Sequence, residues 1–164
     1  MKSIKSMKNE SIIIRKAKDA DVPQVIGLVK AIADYHHKLD PYYLSSSKMS
    51  DDAFNRIKNL VRKRKAVLVV AEINNKIVGY FIANVRKTRM RMHKKIGYIA
   101  DGFIHEKYRN KGIGKMLFNW VKEWFLSKEV RYVELSVDTR NPIGIKGWES
   151  YGFKEYMKRM RVDL

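Results

Sequence analysis

Apolar positions along the chain follow two periods, and the switches between them mark out its elements. Ile12-Ile13-Ile14 followed by Arg15 predicts a first strand. Asp19-Ala20-Asp21 is a helix-start signal, with Asp21 as the cap and Pro23 in the first turn. Val25, Ile26, Leu28, Val29, Ile32 and Ala33 then recur at helical spacing. Asp34 to Ser47 carries aromatics, two histidines, Pro41 and a serine run, which predicts a loop over one edge of the core. A second helix is expected from about Asp51 to Arg64, with Phe54, Ile57 and Val61 on one face.

Val67 to Ile73 and Lys76 to Val85 are strand-like runs joined by Asn74-Asn75. Asparagine tolerates the left-handed backbone that a two-residue hairpin demands. A strand from Gly97 to His105 follows, and Gly112 opens a helix in which Ile113, Leu117, Trp120, Val121, Trp124 and Phe125 repeat at helical spacing. Lys115, Asn119, Lys122 and Glu123 face away. Tyr132 to Val137 reads as another strand, Asn141-Pro142 as the start of a short helix, and Gly152-Phe153 as its end, leading into a last strand. The order βααβββαβαβ predicts an α/β (mixed α+β) fold, a mixed sheet flanked by helices. No internal repeat or linker interrupts it.

At 164 residues the chain suits one domain with a proper core. Met1 to Glu10 is polar and basic without the apolar core of a signal peptide, so residues 1–10 are expected to be a flexible tail and 11–164 the domain. The longest apolar run, Ala66 to Ala71, is far too short to cross a bilayer. With no cysteine there is no disulfide framework, thiolate nucleophile or Cys-type zinc site, and a cytoplasmic location is expected. Thirty-five Lys and Arg against seventeen Asp and Glu leave a net charge of +18. Such a field attracts anions, whether nucleic acid, a phosphate-rich cofactor or an acidic protein surface.

One turn narrows that choice. Arg109-Asn110-Lys111-Gly112-Ile113-Gly114 lies between a strand and a helix, where free N–H groups and the helix dipole can hold an anion. It lacks the spacing of a P-loop, and Leu117 stands where a dinucleotide fingerprint needs its third glycine. The plain alternative is a turn that merely needs small residues. Gly102, just upstream, suggests a strand bulge or the close approach of another backbone. A bulge there would free peptide groups for an extended, amide-bearing ligand running to the turn.

The run Tyr98-Ile99-Ala100-Asp101-Gly102-Phe103-Ile104-His105-Glu106-Lys107-Tyr108-Arg109-Asn110-Lys111-Gly112-Ile113-Gly114 resembles the acetyl-CoA-binding motif of GNAT-type N-acetyltransferases. The hallmark of that motif is Arg or Gln, two residues, Gly, one residue, then Gly or Ala. Ile13 to Val22 is similar to the family's first strand and helix start, and Asn141, Trp148 and Gly152-Phe153 to its second cofactor motif. The resemblance covers residues 11 to 162. It implies a mostly antiparallel sheet of six or seven strands flanked by four helices. The sheet would splay between its fourth and fifth strands, here Gly97–His105 and Tyr132–Val137. It also implies that acetyl-CoA is the co-substrate, that no metal is used, that transfer is direct, and that a homodimer is possible. By position, Gly102 marks where the thioester arm lies, and the backbone of Phe103 and Ile104 would bond the pantetheine arm. Arg109, Asn110, Lys111, Gly112, Ile113, Gly114 and Lys115 would cradle the pyrophosphate, and Asn141 would touch the arm from the other side. Tyr35, His36, Tyr42 and Tyr43 would contact the acceptor.

Acetyl transfer to an amine needs a neutral amine, although a lysine-like amine has a pKa of roughly 10.4. It also needs donors for the oxyanion and benefits from a proton for the thiolate. Two positions depart from the family. Trp148 stands where many relatives carry a tyrosine acid, and Tyr151, one helical turn on, is the candidate substitute, its alternative being a core tyrosine. Ala100 stands where diamine acetyltransferases carry a glutamate. That leaves Asp101, which strand alternation turns to the face opposite position 100, and Glu72 as candidate bases. The alternative is that both are solvated or ion-paired carboxylates and that proximity and bulk water serve the minor neutral fraction of the amine. The positive field and the lack of a dense acidic cluster argue against polyamines and for an amine on an anionic molecule or acidic protein. His36 and His37, with Asp34 and Asp40 nearby, could suggest a metal, but adjacent helical histidines diverge and do not chelate one ion easily, so a loop end with titratable side chains is the simpler reading. The basic runs Arg62–Lys65, Arg86–Lys95 and Lys158–Arg161 lack aromatic interleaving, so nucleic acid is disfavoured and solvated helix ends are the simpler reading. A non-catalytic CoA-binding or nucleic-acid- or ribosome-associated module is the alternative function.

Overall fold

The run Ala66–Ala71 becomes the buried centre of a sheet. A computed structural model of the chain describes residues 11–89 and 92–164, so the expected tail at 1–10 and two positions of the basic run 86–95 lie outside the described residues. The elements are β1 (Ile13–Lys16), α1 (Val22–Leu39), α2 (Asp51–Leu60), β2 (Ala66–Ile73), β3 (Lys76–Lys87), β4 (Lys95–Ile104), α3 (Ile113–Leu126), β5 (Val133–Leu135) and α4 (Pro142–Ser150). The strands lie in sequence order in one sheet, antiparallel throughout except for the parallel β4–β5 pair.

β2 reads as a continuous apolar run because both its faces are covered. Val67, Val69 and Ala71 pack with Leu117, Val121 and Phe125 of α3, while Leu68 and Val70 pack with Val25 and Val29 of α1 and Ile57 of α2. The β2–β3 hairpin turns on Asn74 and Asn75 at φ 51° and 62°, the pair of left-handed residues its sequence predicts. No helix among the described residues is long and apolar enough to cross a membrane.

Several expectations are corrected. The sheet has five strands among the described residues, fewer than six or seven. After Phe153 no further strand forms; Phe153 packs on Phe118 and Trp148, and the residues beyond it are exposed and make no ladder. α2 ends at Leu60 instead of Arg64, because its apolar face is spent by Val61 and the following Arg62–Lys65 is exposed. Asp21 does sit before α1, but its carboxylate caps nothing there. It accepts both guanidinium prongs of Arg15 (2.6 and 2.8 Å) and the Lys18 N–H.

The strand bulge falls at Ala100, two residues before Gly102. Ile82 pairs with Asp101 and Ala83 with Ile99, so Ala100 is the extra residue. Gly102 answers a different demand: a Cβ there would stand 2.7 Å from the Phe81 ring that crosses it. β4 and β5 pair only from Gly97–Ile99 to Val133–Leu135, while β4 runs on to Ile104. Beyond Ile99 the two strands part, which is the expected splay.

Candidate active site

The turn after β4 is built from local bonds. His105 accepts from the Lys107 N–H, and Arg109 Nε reaches back to the Ile104 carbonyl at 2.9 Å. Asn110 (φ 61°) and Gly112 (φ 77°) are both left-handed, which swings the chain into α3. The first helical bond runs from Met116 N–H to Gly112 O (3.1 Å), so the N–H groups of Ile113, Gly114 and Lys115 have no acceptor within the helix. Ile113 is buried and anchors that helix end in the core, while Lys111 and Lys115 are exposed beside it. Free donors, the helix dipole and three cations make this a fitting seat for a pyrophosphate.

Gly114 is required by packing. A Cβ there would collide with Tyr151 Oη and stand 3.0 Å from Ile104 Cδ1. Tyr151 stacks on Phe118 (5.5 Å between centroids) and meets Trp148 edge-on. Burial pushes its hydroxyl pKa up. The hydroxyl therefore lies at the α3 N-terminus. Trp148 packs against Phe81 and Phe153.

At the splay, the backbone divides its bonding between two sides. The His105 N–H bonds to Val78 O, and strand alternation then turns Phe103 toward β3 and Gly102 and Ile104 toward the open edge. The Gly102 N–H is taken by Asp101 Oδ1 at 2.8 Å, leaving the Ile104 N–H as an open donor. Asn141 Oδ1 caps α4 by accepting from Gly144 N–H (2.9 Å) and also accepts from Tyr35 Oη (3.1 Å), so only its Nδ2 remains for a ligand.

Asp101 Oδ2 accepts from Tyr80 Oη at 2.6 Å. Burial raises the Asp101 pKa, against the lowering pull of the Tyr80 hydroxyl, the Gly102 N–H and the nearby His36 charge. Tyr80 is fully buried in the core under α1, and the same burial holds its hydroxyl protonated. Glu72 is elsewhere. It lies on β2 and is held by Arg15 through bonds of 2.8 and 2.6 Å.

The four expected acceptor residues come together. Tyr35, His36 and Tyr43 form a run of tilted rings at 5.9 and 5.5 Å, and Tyr42 meets Tyr43 edge-on. Tyr43 Oη donates to Asp138 (3.1 Å). An ion-pair network absent from the sequence reading locks this wall: Arg140 bridges Asp138 and Asp40 at 2.8 Å each, and Arg161 adds a 3.1 Å bond to Asp40 and lies over the Tyr42 ring. The Asp138–Arg140 spacing is a local signal, but pairs separated by a hundred residues leave no trace in sequence. Among the described residues no group of three His, Asp or Glu side chains could hold a metal.

Comparison with known proteins agrees with this geometry. The sequence profile of the acetyltransferase (GNAT) family matches residues 15–153. An uncharacterised N-acetyltransferase of Archaeoglobus fulgidus is 26% identical over 122 residues, 74% of this chain and 81% of that protein. In fold, the chain is similar to a four-site variant of the BH1408 protein of Bacillus halodurans (TM-score 0.82, 23% identity, 93% of this chain and 99% of that one). It is also similar to an aminoglycoside N-acetyltransferase, AAC(6')-Iy, solved with CoA (TM-score 0.76, 18% identity, 96% and 97%). The chain belongs to the GNAT family of acetyltransferases and is an acetyl-CoA-dependent acyltransferase.

Proposed function

We propose that the protein transfers an acetyl group directly from acetyl-CoA to a primary amine, with Asp101 taking the amine proton. The observation that carries this is the Asp101 carboxyl, held by Tyr80 and Gly102 where β4 leaves β5, one strand segment from the anion seat. The co-substrate supplies its acetyl group already activated as a thioester. The chain's part is to bind, orient and move a proton. The N–H groups of Ile113, Gly114 and Lys115, with Arg109, Lys111 and the turn through Asn110 and Gly112, would hold the pyrophosphate. The Ile104 N–H and Asn141 Nδ2 would hold the amide-bearing arm. With no cysteine, no thiol is available to carry the acetyl group on the enzyme.

The elevated Asp101 pKa brings its basicity closer to that of an amine than an ordinary aspartate, which favours proton acceptance. Tyr151 is the second proton-bearing group proposed, as a donor at the cofactor end. Glu72 is set aside as the base, because its carboxylate is engaged by Arg15 on β2. Tyr35, His36, Tyr42 and Tyr43 would line the acceptor side. Its two other carboxylates, Asp40 and Asp138, are neutralised by Arg140 and Arg161. That wall offers little to a polycation, and the +18 field repels one, so the acceptor we propose is an amine on an anionic molecule or acidic peptide. Thiol release from acetyl-CoA, screened over acidic peptides, amino sugars and polyamines, tests this reading. Fast release with an acidic amine that Asp101→Asn abolishes supports it; release with Asp101→Asn at the parent rate and pH profile overturns it.

A further inference from the structure

The sheet has a second charged end, opposite the cofactor turn. Three segments distant in sequence meet there. Lys65 O accepts from the Val85 N–H, tying the 62–65 loop to the end of β3. Gly97 N–H bonds to Tyr132 O, and Lys95 Nζ bonds to Lys128 O and pairs with Glu129, tying the 128–132 loop to the start of β4. Four cations come from 62–65, five from 86–89 and 94–95, and two from 128–131; Glu129 is the one carboxylate among these positions, and Arg62 is paired with Asp19 at 2.8 Å. All eleven cations are exposed. β4 spans nine residue steps from Lys95 to Ile104 at ~3.3 Å each, and α3 links the seat to the 128–132 loop at ~1.5 Å per residue, so this pole lies about 20–30 Å from the pyrophosphate seat.

The pole is shaped as well as charged. A groove of about 560 Å³ runs between Lys63, Arg64 and Lys65 on one side and Asn84 and Val85 on the other. A second, of about 220 Å³, passes the other side of the same loop, where Lys63, Arg64 and Lys128 stand beside Trp120 and Trp124. At the β5 side an aromatic pair is presented to solvent. Tyr132 is 58% exposed, and the His93 ring lies 4.9 Å from it at a 38° tilt. Both are held from behind, Tyr132 by the Gly97 bond and His93 by Thr88 Oγ1, which donates to its carbonyl at 2.9 Å. The aromatic interleaving that the linear sequence lacks is thus supplied by folding.

We infer that this pole binds single-stranded nucleic acid, with its lysines and arginines on the phosphates and the Tyr132–His93 pair under unpaired bases. Cations alone would serve any polyanion. The exposed, braced rings favour a strand whose bases are open to stack, because a duplex hides its base faces and an acidic protein has few flat rings to offer.

The test uses the full chain and a fluorescent oligouridylate of about twenty nucleotides, longer than a typical single-strand site. Binding is read by anisotropy across salt, with saturating CoA present. The expected result is binding that CoA does not displace. With about five phosphates engaged, log K should fall with log salt at a slope near −3.5, about 0.7 per phosphate. Lys63→Ala/Arg64→Ala/Lys65→Ala should flatten the slope by about 2 and leave the acetyl-transfer rate at its parent value. Tyr132→Ala should weaken binding by about tenfold without changing the slope, since base stacking is uncharged. Circular dichroism melts confirm that each variant is folded. Four results would each overturn the inference: no binding at low salt, displacement by CoA, equal affinity for a duplex with Tyr132→Ala silent, or equal competition by polyglutamate.

Discussion

Replacing Gly114 by alanine tests the contact that joins α4 to the cofactor turn. The new methyl would enter the space of Tyr151 Oη, with Ile104 Cδ1 3.0 Å away on its other side. Neither side yields easily. Ile113 and Leu117 fix that end of α3 in the core, and Tyr151 is stacked on Phe118 and wedged by Trp148. Overpacking of this kind costs about 3 kcal/mol at the stiff end of its range. Alanine returns about 1 kcal/mol through its better helix propensity. The net loss is then about 2 kcal/mol, and a chain of this length should melt about 4–8 °C lower. In a Tyr151→Phe background the obstructing oxygen is gone and the ring's terminal carbon stands 3.1 Å from the methyl, tight but tolerable. There the same substitution should cost at least ~1 kcal/mol less, a coupling in the range expected of touching side chains. Thermal melts of the four proteins in the cycle give the answer. A parent-like Tm for Gly114→Ala, or an identical shift in both backgrounds, would refute the packing described.

Other perturbations separate the roles proposed around the splay. Asp101→Asn should lower kcat by about 10²–10⁴ and remove the acidic limb of the pH–rate profile. Tyr80→Phe removes a hydroxyl that favours the Asp101 carboxylate, so that limb should move to higher pH, and a limb that stays put or falls would contradict the bond. Arg109→Ala should raise KM for acetyl-CoA about tenfold, as expected for the loss of roughly 1.4 kcal/mol of binding, with kcat little changed. Asp40 has its folded pKa lowered to about 2 by Arg140, the Tyr42 N–H and Arg161. Its stabilising effect is full above the ordinary aspartate range and is lost as pH falls toward 2, so Asp40→Asn should flatten acid unfolding between roughly pH 4 and 2.

The elements were legible where one physical rule decides them. Ala66–Ala71 reads as a two-sided strand because apolar side chains have nowhere else to go, and Asn74-Asn75 reads as a hairpin because few other residues accept two left-handed positions. Gly112 and Gly114 flagged the turn before α3, though for different reasons: one supplies a left-handed φ, the other clears space for Tyr151. The missing last strand was illegible because alternation in Met160-Arg161-Val162 announces an extended chain without saying whether a partner strand exists. The Asp40–Arg140–Asp138 network was equally hidden, since its members are charged residues of two loops whose meeting depends on the whole fold.

The Ala100 bulge shows how one inserted residue can change the chemistry a motif offers. In a regular strand Ile99 and Asp101 share a face, and Ile99 packs into the core beneath α3. That would direct Asp101 away from Tyr35 and His36 on α1. Because Ala100 is extra to the ladder, every side chain after it is turned over, and Asp101 meets Tyr80 in the opposite core while Phe103 packs on the same side. The bulge therefore brings the Asp101 carboxylate round to the side where His36 stands. Deleting Ala100 would restore the register and return Asp101 to the α3 face. If the carboxyl serves as proposed, that deletion should abolish acetyl transfer while a CoA-dependent rise in Tm persists, because the α3 seat lies beyond the end of the strand. Parent-like turnover in the deletion variant would show that the proton leaves by another route.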